Sequence, residues 1–326
     1  MVNKKNRMNK KGIEVSFDWI FAIVVGAIIL VLAVYAVMRI VNTETTTSST
    51  SAAKELGVIL NPLEAGFADG TVNSIDFSAN TELFFDCSNI GDFGKQKIST
   101  KTDTKLKGNE QGLNVSFANK YIFANKVVEG KKMVVFSKKF IMPFEVTNLL
   151  FLWSFDDRYC FVDPVNEVKD EIGSLIEQNK LINQTLSIVK DSNDCPAESL
   201  KVCFNSAGCN IDVDTRTKTV RKGFGKSLYY EGNLIYGAIF SDKDVYECQL
   251  KRLMKKTSWL AELYLEKSKL SENRGCGSVI QSDLTNYVSQ TSALNETWGL
   301  VQISSMAETL KEENPQSEMC KLWKDS

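Results

Sequence analysis

The 326-residue chain carries 39 basic and 40 acidic residues, is 43 % hydrophobic and contains no histidine. Without histidine, Ser-His-Asp and Cys-His nucleophile systems and mixed Cys/His zinc sites are excluded, and the near-neutral balance offers no basic surface for nucleic acid. Five prolines and the absence of an internal repeat leave nothing in the body of the chain that marks a disordered linker or a solenoid.

The first forty residues are the most informative. Lys4, Lys5, Arg7, Lys10 and Lys11 precede any acidic residue, and Trp19 to Met38 then runs for twenty uncharged, largely apolar residues. At about 1.5 Å per residue such a helix crosses about 30 Å of hydrocarbon. Trp19 at one end, and Tyr35, Met38 and Arg39 at the other, are placed where headgroups would meet the helix. The sequence therefore predicts a basic cytoplasmic leader over 1–16 and a transmembrane helix over 17–41. The apolar run exceeds the roughly 7–15 residues of a cleaved secretory signal, so a retained anchor is favoured over a cleaved leader or a buried core helix. Gly26, with Ala27, Ala33 and Ala36, would let identical helices approach closely, which makes the bilayer a partner and a homo-oligomer an option.

By the positive-inside rule the remaining chain lies outside the cytoplasm. It holds 33 of the basic and 38 of the acidic residues, so it is mildly acidic. The basic stretches at Gly130–Lys132 and Arg221–Lys226 read as solvated turns. All eight cysteines, Cys87, Cys160, Cys195, Cys203, Cys209, Cys248, Cys276 and Cys320, also follow the apolar run. An even count on the outer side fits a disulfide framework, with buried free thiols as the alternative and the pairing left open. An all-cysteine zinc site would need CxxC-like pairs, which the spacing does not supply. Sequons at Asn114, Asn183 and Asn295 mark candidate glycosylation sites; Leu113, Val115 and Phe117 alternate with Asn114 and Ser116, which puts Asn114 on the wet face of a strand, while Asn183 and Asn295 fall on predicted helices.

Residues 42–63 form a Ser/Thr-rich spacer followed by a short helix, with Ala52, Leu56, Ile59, Leu60 and Leu63 at helical spacing and Pro62 as a stop. The domain proper is expected over 64–326. From Asn73 to Val162, short runs rich in Phe, Val and Ile predict strands, with a hairpin about Glu129-Gly130. The connections look too short for crossover helices, so the sheet is expected to be mainly antiparallel. Asp163-Pro164 opens a helix whose stripe runs from Val165 through Val168, Ile172, Leu175, Ile176, Ile182 and Leu186 to Val189. Strands return between Val202 and Phe240. Ser241 is read as the cap of a long helix carrying Tyr246, Leu250, Leu253, Met254, Leu260, Ala261 and Tyr264, and a further helix starts near Ser278 and runs through Trp298. The predicted fold class is α+β: one N-terminal transmembrane helix, a mainly antiparallel sheet with flanking helices, and a helical C-terminal part.

Candidate chemistry is sparse. Asp156-Asp157 and Asp212-x-Asp214 are possible carboxylate pairs for acid–base work or a hard cation, although turns and a strand's polar face explain them as well. Ser187-Ile188-Val189-Lys190 matches the SxxK spelling of penicillin-binding enzymes, but no KTG accompanies it. No metal or cofactor is expected, and no catalytic residue is singled out.

One further resemblance lies at the N-terminus. Lys11-Gly12, then Ile13 and Glu14 before the hydrophobic run, resembles the class III signal peptide of archaeal pilins and archaellins, and the whole chain is similar to membrane-anchored surface proteins of archaea. The resemblance implies cleavage after Gly12, leaving Ile13 first, with Glu14 or Asp18 neutralising a neighbouring subunit's new amino terminus. Glu14-x-Ser16-x-Asp18 reproduces the usual Gln-x-Ser-x-Glu spacing one residue late. Three functions remain in play: a non-enzymatic surface protein that binds a protein or glycan or shapes the envelope, a pilin-like filament subunit, and an envelope-processing enzyme.

Overall fold

A computed structural model describes residues 24–35, 70–102, 114–178, 182–273, 275–277, 279–315, 317 and 319–324. The chain divides into two units, Met1–Ser48 and Ser49–Ser326. In the first, residues 24–35 form an apolar helix, α1, with Val24, Leu30 and Tyr35 exposed. Among the described residues no helix is long and apolar enough to cross a membrane. The rest of the expected span, including Trp19, Met38 and Arg39, lies outside the described residues, as do Lys11, Gly12, Ile13, Glu14 and the helix expected over Ala52–Leu63.

The second unit is α+β, but it holds two six-stranded sheets rather than one. The first comprises β1 (Thr71–Ser88), β2 (Lys95–Thr102), β3 (Asn114–Phe117), β4 (Tyr121–Phe123), β5 (Val127–Ile141) and β6 (Glu145–Ser154), in the order β3-β2-β1-β5-β6-β4. It is antiparallel except where β4 meets β6. Two runs expected as separate strands are one strand, β1, whose register shifts between Asp76 and Thr81. The hairpin expected at Glu129-Gly130 is not a turn, because β5 runs straight through it. Gly130 instead serves close approach: a Cβ there would lie 2.7 Å from Ser154 Oγ. The chain reverses at Met142-Pro143-Phe144, across a cis Met142–Pro143 bond.

Both faces of this sheet are buried, which is why β5 and β6 read as nearly continuous apolar runs. Ile75, Leu83, Ile98, Met133, Val135 and Leu152 form one cluster, while Phe123, Phe136, Phe151 and Trp153 face the main core. The sheet curls until β2 meets β4. Buried Gln96 on β2 donates through Nε2 to the Ile122 carbonyl (3.1 Å) and accepts from the Ile122 N–H (3.2 Å) on β4, a ladder closed by one amide side chain.

Helix α4 (Lys243–Glu272) lies along that seam, and the fully buried Arg252 is its clamp. Its Nε donates to the Phe93 carbonyl (3.0 Å), Nη1 to Lys120 O (3.0 Å) and Nη2 to Ala118 O (2.8 Å), joining the loop before β2 to the segment between β3 and β4. Gln249 orients the fork by accepting from Nη1 (2.6 Å) and itself donates to Ile122 O. One turn on, Lys255 Nζ reaches Asn89 O (2.7 Å) and Gly91 O (2.9 Å). The Cys87–Cys248 disulfide ties β1 to the same helix.

The second sheet comprises β7 (Tyr159–Val162), β8 (Leu186–Val189), β9 (Leu200–Phe204), β10 (Ile211–Asp214), β11 (Thr219–Lys222) and β12 (Leu228–Tyr229), in the order β12-β11-β10-β9-β7-β8. From β8 to β10 it is parallel, against the expectation of antiparallel pairing. Helix α2 (Asn166–Gln178) supplies the crossover from β7 to β8. The expected longer helix therefore stops at Gln178. Ile182 falls on a 3-10 turn, and Leu186 and Val189 belong to β8, where pairing with Tyr159–Val162 overrides a spacing that also fits a helical stripe.

Leu234–Phe240, expected as strand, is helix α3, buried at all seven positions; a short apolar run shows no period that tells a buried strand from a buried helix. Its Gly237 faces Phe123, whose ring would be 2.8 Å from an added Cβ. Ser241 ends α3 rather than starting α4, its hydroxyl donating to Gly237 O (2.6 Å). Helices α5 (Ile280–Ser292) and α6 (Leu300–Glu313) complete the fold; Leu294 and Trp298 lie beyond the end of α5. Cys276–Cys320 fastens the C-terminal segment, where Trp323 packs on Phe144 and Tyr264.

Two measurements follow from these contacts. Arg252→Met strips the buried Lys120 carbonyl and the part-buried Phe93 and Ala118 carbonyls of their donor and should lower unfolding free energy in denaturant melts by about 3 kcal/mol, whereas Lys255→Met, acting in a half-exposed loop, should cost about 1 kcal/mol. At the end of α6, the Glu313 carboxyl is pushed up by partial burial and then by its hydrogen bond to, and repulsion from, Asp283 at the start of α5. An acid whose folded value is raised destabilises the fold as pH climbs past its unfolded value, and fully above the raised one. Glu313→Gln should thus raise Tm by about 2 °C at pH 7, with the gain gone near pH 4.

Candidate functional site

Of the three pairs that the sequence offered for chemistry, the structure splits Ser187 from Lys190 and keeps the aspartates of the other two together, one pair in a turn and one on β10. Ser187 is in β8 and Lys190 directly follows it, so a spacing that would juxtapose them on a helix places them on opposite faces of extended chain. Asp156 and Asp157 form the turn between β6 and β7, with the Asp156 N–H donating to Ser154 Oγ and the Asp157 N–H to Ser154 O. Burial raises the Asp157 carboxyl, a hydrogen bond at Ser154 opposes this, and the Asp156 charge adds to the rise. Among the described residues no three His, Cys, Asp or Glu side chains are grouped to hold a metal ion.

Of the sequons, Asn114 is in edge strand β3, where Ser116 is exposed and Val115 and Phe117 are half-buried. Asn183 and Asn295 are exposed on a 3-10 turn and in a loop, not on the helices expected. The threonines that complete both sequons are buried: Thr185 Oγ1 donates to Ile182 O, and Thr297 Oγ1 accepts from the Tyr229 N–H.

All eight cysteines are paired, as Cys87–Cys248, Cys160–Cys195, Cys203–Cys209 and Cys276–Cys320. The middle two bridges share a purpose. Parallel sheets normally carry helices on both faces. Here Tyr159, Phe161, Val202 and Phe204 face the main core, while on the opposite face Cys160, Val162 and Cys203 pack with Val189, Cys195 and Cys209. Two disulfides and the loops they hold thus cover the face that a second helix layer would otherwise fill.

At one end of that face is an open groove of about 320 Å³ lined by polar side chains of β10, β11 and the loop after β9. Asp212 and Asp214 point the same way from β10, as their alternation with buried Ile211 and Val213 requires. Asp212 Oδ1 accepts from the Cys209 N–H (3.0 Å), and its Oδ2 meets Arg221 Nη2 (2.9 Å) across the β10–β11 pair. Although partial burial works against it, the Arg221 bond and the Cys209 and Gly208 N–H groups hold the Asp212 carboxyl below the usual range. Asp214 Oδ1 caps the following turn by accepting from the Thr217 and Arg216 N–H groups, which lower its carboxyl as well.

Asn205, with φ +52°, accepts through Oδ1 from the Thr215 N–H (3.0 Å) and hydroxyl (2.9 Å). Ser206 and Ser227 complete the walls. Between Arg221 and Ser227 the loop rises to Phe224, fully exposed between Gly223 and Gly225. The sequence pointed to Asp212 and Asp214 but took Arg221–Lys226 for a solvated turn and gave no sign of Asn205. Only the unusual placing of a phenylalanine between two glycines and basic residues could have drawn attention to that loop.

No protein-family model, no curated protein and no solved structure matches the chain. For the disulfide framework, alkylation of the denatured, unreduced protein should modify almost no cysteine, and reduction should release all eight thiols; mass spectrometry counts the adducts, and free thiols before reduction would contradict the pairing.

Proposed function

We propose that this protein is held in a membrane by its N-terminal apolar segment and displays a disulfide-strengthened α+β domain outside the cytoplasm, where it binds a surface component or supports the envelope without catalysing a reaction. The observation that carries this reading is the division of the chain. Five basic residues and a twenty-residue apolar run stand on one side, and every cysteine, each of them disulfide-bonded, stands on the other. Disulfides persist in oxidising compartments, and a basic flank directs the opposite end of an apolar helix across the bilayer. For a binding role, the support is a polar groove, one wall of which is the loop closed by the Cys203–Cys209 bridge.

A second reading follows from Lys11-Gly12 and the charged residues after it: leader cleavage, with the apolar helix assembling against identical copies as in pilin-like filaments. The all-round apolar character of α1, with Gly26 on it, suits helix packing as well as lipid.

A membrane-impermeant, lysine-reactive biotin reagent applied to intact cells should label lysines throughout 70–324, and lysis should add little. Labelling that appears only after lysis would place the domain in the cytoplasm and end this proposal. The mass of the N-terminal peptide from native membranes separates the two readings: a start at Ile13 favours the filament, and an intact or Met-trimmed leader favours the simple anchor.

A further inference from the structure

We infer that the groove on the outer face of the second sheet is a saccharide site, taking a neutral, hydroxyl-rich oligosaccharide with Phe224 as its stacking platform. This names the ligand class for the surface role proposed above and rests on that reading for its biological setting, though not for the binding itself.

The first ground is the state of the polar groups. Asn205 and Asp214 are fixed on one side by the protein and left open on the other. Asn205 spends its carbonyl oxygen on Thr215, while among the described residues nothing bonds its amide Nδ2. Asp214 uses Oδ1 for the turn, with the Thr217 hydroxyl beside the carboxylate, and among the described residues no hydrogen bond is formed by its Oδ2 or by the Ser206 and Ser227 hydroxyls. The groove thus presents an amide donor and a carboxylate acceptor already oriented, together with two serine hydroxyls that can donate or accept. A polyol has donors and acceptors on every carbon and suits such a mixture. Orientation paid in advance by internal bonds lowers the entropic cost of binding.

Charge is the second ground. Arg221 is neutralised by Asp212 at 2.9 Å, and Arg216 Nε stands 3.9 Å from Asp214 Oδ1. Among the residues that line the groove Arg221 is the one cation, and with Asp212 holding it none is left there to select a phosphate or carboxylate, while two lining carboxylates are too few to collect a hard cation, which wants six or more oxygens. A neutral ligand is what remains.

The third ground is Phe224. Burying a phenylalanine is worth about 1.5–3 kcal/mol, yet this one is wholly in water, in a loop whose two ends line the groove. A pyranose is amphipathic in the matching sense, with C–H groups on one face and hydroxyls around its rim. Its C–H face can lie on the electron-rich face of an aromatic ring while the rim reaches polar partners. Gly223, with φ +53°, lets the loop turn so that the ring projects. On the other wall, the Cys203–Cys209 bridge closes the loop that carries Asn205 and Ser206.

The test uses the purified full-length protein in detergent against immobilised neutral gluco-, galacto-, manno- and N-acetylglucosamine hexasaccharides and an acidic hexauronate, followed by calorimetric titration of whichever binds. At least one neutral hexasaccharide should bind with Kd below about 1 mM. Phe224→Ala should weaken that binding about tenfold with Tm unchanged, and Asp214→Asn, which keeps the turn's acceptor, should weaken it as well. Absence of binding by every neutral hexasaccharide, preference for the hexauronate, or unaltered affinity in Phe224→Ala overturns the proposal. Since this binding is read on isolated protein and location on intact cells, failure of one leaves the other standing.

Discussion

A single guanidinium decides whether the larger sheet is a closed structure or an open one. A curled six-stranded sheet brings its margins together without enough backbone pairing to close them, and each unpaired carbonyl left dry costs about 1–3 kcal/mol. Arg252 resolves this because its planar fork presents several donors in fixed directions and stays charged when buried. It spans carbonyls from both sides of the seam, with the Tyr121 ring 4.9 Å away, while Gln249 and Gln96 satisfy Ile122 between them. The seam is closed by side chains where a longer strand would have used backbone.

The second sheet meets a similar shortage differently. Four parallel strands expose two apolar faces, but the chain provides helices for one. On the other, cysteines replace the missing layer: they bury as well as small apolar residues do and, once bonded, hold loops that have little core of their own. A covering made of loops is thinner than one made of helices. It leaves the strand ends of β9 and β10 open to solvent, and the polar groove lies there.

What the sequence makes legible follows from which forces are local. That strand covers β1, β5 and β6, that helix covers α2, α4 and α5, and that the cysteines are bonded, though neither the ends of these elements nor which cysteine meets which, can be read because β-branched and aromatic runs, helical stripes and the parity of the cysteine count are written in short stretches. Leu234–Phe240 cannot be read, since seven buried residues have no wet face to reveal a period. The strand Leu186–Val189 is likewise concealed, because only its partner Tyr159–Val162, distant in sequence, distinguishes it from another turn of α2. In the groove, Asp212 and Asp214 announce themselves by alternation, whereas Asn205 and Phe224 acquire meaning only when β9, β10 and β11 are side by side.

The bridge between Cys87 and Cys248 joins residues 161 positions apart, and it lies beside Gln249 and Arg252 on the same turns of α4. A fragment ending at Ser154 would contain every strand of the first sheet and, of the groups that seal it, keep Gln96 but lack Cys248, Gln249 and Arg252. Modularity in this molecule is therefore not marked by sheet boundaries. The first half of the domain is completed by the second, so the natural unit of exchange, by recombination or by a protein engineer, is the whole of both sheets with the helix that staples them.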